Sequence, residues 1–136
     1  MSENEQLTYG NLHWFEYRQN NSGGVFVMDD DASLYVFIQA ESADAANQKA
    51  EEVTIYFDGC ESDRDCDCCG DRWYRADDPL DSFKTYPWRG EPKEYDNISD
   101  YAQALAADSG WAKRGDPANI VYFADGSVKR FYKWGR

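Results

Sequence analysis

The chain has a single histidine, His13, only four cysteines in 136 residues, and no apolar run near the ~20 residues a membrane-spanning helix requires. One histidine leaves a serine or cysteine nucleophile with one conventional base to pair with, and His13 lies beside Trp14 and Phe15 where a structural role suffices. No glycine-rich phosphate loop and no dinucleotide fingerprint is present, so the sequence points to a binding protein and not to an enzyme. Basic residues are also scarce at the front. Residues 1–83 hold 19 acids against 5 bases, whereas residues 84–136 hold 7 against 9. A field of that sign repels phosphate backbones, which argues against direct nucleic-acid binding and favours a basic protein partner. Met1–Gln6 lacks the basic and apolar regions of a signal peptide, so a cytoplasmic location is expected, with cysteines as thiols or metal ligands.

What is present is a core. The composition is 42% hydrophobic and 16% aromatic, enough for one folded domain over residues 1–136. The pattern predicts an α+β domain with a mainly antiparallel sheet, two helices and a long cysteine-containing loop. Leu12–Tyr17 reads as a strand, Asn20–Gly24 as a hairpin turn, and Val25–Met28 as its return strand. Leu34–Ala40 reads as a central strand. Ser42 caps a helix whose Ala43, Ala46, Ala50 and Val53 share a face, and Thr54–Phe57 is expected to follow as another strand. Residues 58–97 show no clear period. A second helix begins near Ser99 and ends before Gly110. Ile120–Ala124 and Ser127–Trp134 then form a hairpin about an Asp125-Gly126 type I′ turn, with Phe123 opposite Val128.

Three groups of residues could carry function. Cys66-x-x-Cys69-Gly70 has the spacing of a zinc knuckle, with Cys68, Cys60 and His13 as further candidate ligands for a structural zinc. Asp63, Asp65 and Asp67 imitate the start of a calcium loop, but Cys68 and Tyr74 stand where that loop needs Gly and Glu. These three carboxylates instead combine with Asp29, Asp30 and Asp31 as a candidate acidic interaction face. Asn20 and Asn21, with Arg72 and aromatic walls such as Trp73 or Trp14, form a candidate small-molecule pocket.

The runs His13-Trp14-Phe15-Glu16-Tyr17-Arg18-Gln19-Asn20-Asn21-Ser22-Gly23-Gly24 and Cys66-Asp67-Cys68-Cys69-Gly70-Asp71-Arg72-Trp73, in this order, resemble an uncharacterised family of small tailed-bacteriophage proteins. Cys60 lies outside that pattern. The resemblance implies a phage-encoded, soluble accessory protein of the host cytoplasm, with no catalytic residues to carry over. The expected function is capture of a host protein through the acidic face. The alternatives are sequestration of a nucleotide-like small molecule and a virion-associated structural role.

Overall fold

In the computed structural model, which describes residues 3–87 and 89–134, the elements follow the alternation of the sequence. Five strands, β1 (Thr8–Tyr9), β2 (Leu12–Arg18), β3 (Tyr35–Ala40), β6 (Asn119–Tyr122) and β7 (Val128–Phe131), form a sheet in the order β1-β2-β3-β6-β7. All neighbours are antiparallel except β3 and β6, which run parallel. A second, two-stranded sheet pairs β4 (Lys84–Thr85) with β5 (Lys93–Glu94). Helices α1 (Ala43–Glu52) and α2 (Ile98–Ala107) complete the α+β fold.

Period-two side chains divide the main sheet between two cores. Phe15, Tyr17, Val36, Ile38, Ile120 and Tyr122 pack with Ala46 and Ala50 of α1 and with Ile55 and Trp73. Trp14, Phe37, Val121 and Phe123 pack with Ile98, Tyr101 and Ala102 of α2 and with Phe83. The three inner strands are therefore covered on both faces, which explains why β3 and β6 read as nearly unbroken apolar runs. Small residues on α1 permit close approach to the sheet. The helix starts where Ser42 accepts a hydrogen bond from the Ala45 N–H at 3.1 Å. Helix α2 starts at Ile98, one residue before Ser99, and is capped by buried Asn97, whose Oδ1 accepts from the Asp100 N–H at 2.8 Å.

Three expected elements differ. Val25–Met28 is not a strand, because the Gln19 side chain takes both backbone groups of Val27, accepting from its N–H at 2.7 Å and donating to its carbonyl at 2.8 Å. On the side away from β1, β2 therefore pairs antiparallel with β3, reached through a long loop. Thr54–Phe57 is not a strand either. Thr54 has φ +78°, and the Ile55 N–H returns to the Ala50 carbonyl at 3.0 Å, a helix C-terminal motif that turns Ile55 into the core. Finally, the last hairpin closes with Gly126 N–H donating to Phe123 O and Phe123 N–H to Ser127 O, with φ +94° at Gly126. This is a three-residue loop with a glycine bulge rather than the type I′ turn, so Val128 faces Tyr122 and not Phe123.

Candidate functional site: an aromatic groove beside a cysteine corner

Arg72 anchors the irregular loop. It is 8% exposed, and its guanidinium donates to the Tyr56 hydroxyl (3.2 Å), Gln19 Oε1 (2.8 Å), Val25 O (2.7 Å) and Ser22 O (2.9 Å). Asp65 lies beside it, accepting from the Tyr56 hydroxyl at 2.6 Å and from the Arg72 backbone N–H at 2.8 Å, with its Oδ1 3.8 Å from Arg72 Nε. Burial and the hydrogen bond to the Asp65 carboxylate push the Tyr56 phenol above its ordinary pKa. Gly59 is required by this packing, since a Cβ there would sit 1.8 Å from Asp65 Oδ2. Asn20 ties the loop to the end of β2, its Nδ2 donating to Cys69 O at 2.8 Å and Asp71 O at 3.0 Å.

Two sequence expectations do not hold in the folded chain. Arg72 and Trp73 do not line an open pocket: the guanidinium is spent on protein acceptors, and Trp73, 2% exposed, belongs to the α1-side core. Trp14 is likewise a core residue. Asp65 is not part of an acidic surface, because its carboxylate is the buried partner of Arg72 and Tyr56. Asp29, Asp30, Asp31, Asp63 and Asp67 are exposed as expected. They stand on separate supports. Asp29 Oδ1 accepts from the Asp31 and Ala32 N–H groups, and Arg130 Nε donates to Asp30 O, whereas Asp63 and Asp67 belong to the Arg72-anchored loop.

The cysteine corner is compact. Gly70, with φ +84°, and Cys69 both donate their N–H groups to Cys66 O at 3.1 Å, so the turn is tight as expected, but these N–H groups meet a carbonyl and not the sulfurs to which a zinc knuckle aims them. The sulfurs of Cys66, Cys68 and Cys69 all lie within 4.8 Å of one another, a group that could hold a metal ion. In place of separate thiols, Cys66 and Cys68 are joined as a disulfide, with Cys69 Sγ 3.6 Å from Cys68 Sγ. Cys60 is not in this group; its Sγ donates to Cys66 O at 3.5 Å, and partial burial with Asp71, Asp67 and Asp65 nearby raises its pKa to about 11. His13 is equally outside it, held in β2 between Thr8 and Ala40.

Open space lies on the other side of Asn20. Four hollows of about 640, 300, 450 and 500 Å³ adjoin through shared lining residues along one groove-like face. Asn20, Asn21, Phe26, Tyr74 and Trp111 line one end, Arg18, Tyr35 and Leu105 the middle, and Tyr86, Arg89 and Lys93 the other end. Three of its aromatics face solvent: Tyr86 is 75% exposed, Trp111 60% and Tyr74 58%. The charge balance is unlike that of the whole molecule. Arg18, Arg75, Lys84, Arg89 and Lys93 line it beside four acids, Glu16, Asp81, Glu91 and Asp108, with Arg75 already ion-paired to Asp58 at 2.8 Å, whereas the full chain has 14 bases against 26 acids. Within the groove, burial raises the Glu16 pKa above its ordinary value, against the opposing hydrogen bond from the Tyr101 hydroxyl at 3.2 Å and the charge of Arg18.

A family model for a domain of unknown function, DUF7296, matches residues 12–136. The chain belongs to this family. The DUF7296 region runs from the start of β2 through the cysteine corner and groove to the C-terminus. No curated protein and no solved structure matches the chain. Among the described residues, no helix is long and apolar enough to cross a membrane.

The sequence found Asn20 and Asn21 at the groove but missed Arg18, Tyr86 and Trp111. Their convergence depends on β2, the β4-β5 segment and the residues after α2 meeting in space. The one available signal was large aromatics in segments with no apolar periodicity.

Proposed function

We propose that this DUF7296 protein is a binding protein whose groove takes an anionic small molecule bearing a flat ring, the nucleotide class. The observation that carries this reading is that exposed aromatics and cationic side chains line adjoining hollows on a molecule of net charge −12. Exposed Trp and Tyr faces stack on heteroaromatic rings, each stack worth about 1–3 kcal/mol, and Arg18 supplies positive charge for an anionic group. The resemblance to phage proteins supports a setting in the host cytoplasm, where capture without turnover of a nucleotide-like signal would act by lowering its free concentration. Tryptophan fluorescence titration with adenosine and guanosine mono- and diphosphates tests the reading. Quenching that saturates below ~1 mM and is lost in Trp111→Ala and Arg18→Ala, with an unchanged circular dichroism spectrum, is the expected result. No saturation with any of the four would refute it.

A second reading, capture of a basic host protein, is supported by the five carboxylates that remain exposed, Asp29, Asp30, Asp31, Asp63 and Asp67. Such capture weakens steeply with salt and is lost when Asp29, Asp30 and Asp31 are changed together to Lys. Groove binding survives that triple change.

A further inference from the structure

The loop that carries the three exposed sulfurs has fastenings of its own apart from them. Arg72, Asp65 and Asn20 already fasten it from within, and Cys66 donates its N–H to Ser22 Oγ at 3.3 Å. The fourth cysteine does not close the group. A structural zinc site encloses its ion with four protein ligands, whereas this corner offers three sulfurs on one side and solvent on the other.

We propose that reduction of the Cys66–Cys68 bond converts this corner into a three-thiolate surface site for a soft d¹⁰ cation, Cu(I) or Zn(II), with one side left open. A dithiol reductant attacks one sulfur, forms a mixed disulfide and closes to its own disulfide. Two electrons and two protons thereby pass to Cys66 and Cys68, giving two thiols beside that of Cys69. Ion binding then releases the thiol protons. Thiolate donors select soft ions, and the exposed carboxylate of Asp67, between Cys66 and Cys68 in the chain, favours any cation at this place. An open side allows the ion to be passed to another donor by ligand exchange, which a closed brace does not.

The test uses the full chain, reduced anaerobically with a phosphine that becomes its oxide, then freed of reductant and titrated separately with Zn²⁺ and Cu⁺ against chromophoric chelators. One ion per chain is expected for at least one of the two metals, with the tighter identifying the cation class. Binding is lost in Cys66→Ser, Cys68→Ser and Cys69→Ser and retained in Cys60→Ser, and the oxidised chain does not bind. The metal-free serine variants keep the wild-type circular dichroism spectrum and melting temperature. Equal binding by the oxidised chain, retention in Cys69→Ser or loss in Cys60→Ser would overturn the proposal. Unfolding of all three metal-free serine variants would overturn it in favour of a structural brace.

Discussion

Replacing Arg72 with Met should be among the most damaging single changes outside the apolar core. The side chain is 10% exposed and that of Asp65 is fully buried, so solvent screens little of what is lost. Met fills comparable volume but removes four hydrogen bonds, to Tyr56, Gln19, Val25 and Ser22, and strands the Asp65 carboxylate without its cation. Breaking one partner of a buried pair costs about 3–5 kcal/mol, because the remaining charge is left uncompensated. That is a large part of the 5–15 kcal/mol typical of a folded domain. With a urea dependence of about 1.5–2 kcal/mol per molar, the unfolding midpoint should fall by on the order of 2 M. Asp65→Asn in the same background removes the stranded charge, so the double variant should be more stable than the sum of the single losses predicts, by about 1–3 kcal/mol. Equilibrium urea unfolding followed by tryptophan fluorescence measures all four proteins. A loss under ~1 kcal/mol for Arg72→Met, or strictly additive losses, would refute the view that this pair anchors the loop.

Gly59→Ala should destabilise by about 3 kcal/mol by thermal or chemical unfolding, since its Cβ collides with the fixed Asp65 carboxylate. Gly126→Val should cost on the order of 1 kcal/mol or more; nothing lies within 4 Å of a Cβ there, so the cost is the strain of φ +94° alone and an unchanged melting temperature would contradict it. Glu16, whose pKa is raised by burial, is neutral over part of the range in which an ordinary glutamate is charged. Its contribution to stability is therefore full below the unfolded pKa and declines as pH rises through the higher folded one. Anion affinity in the groove should follow the same direction, strengthening as pH falls through the folded pKa, and Glu16→Gln should flatten that part of the profile.

Elements whose signals are local could be read from the chain alone. The Ser42 cap and the alanine face located α1, alternation and apolar content located β2 and β3, and Gly126 marked the final turn. Gly70 likewise announced the tight turn that gathers Cys66 and Cys69, because only a few neighbouring residues set it. Partnerships between distant segments emerge only on folding. Val25–Met28 looks like a strand until Gln19 takes the backbone groups of Val27, and Thr54–Phe57 looks like one until Ile55 turns into the core. Asp65 and Arg72 are chemically the same in sequence whether they face solvent or each other, and burial made them an anchor in place of a surface charge and a ligand contact. The groove was invisible for the same reason: Arg18, Tyr86 and Trp111 become neighbours only when the crossover from β3 to β6 brings the β4-β5 segment and the end of α2 back against β2. Local propensity acts through adjacent residues, whereas a binding surface is set by the long-range packing that determines which of them meet.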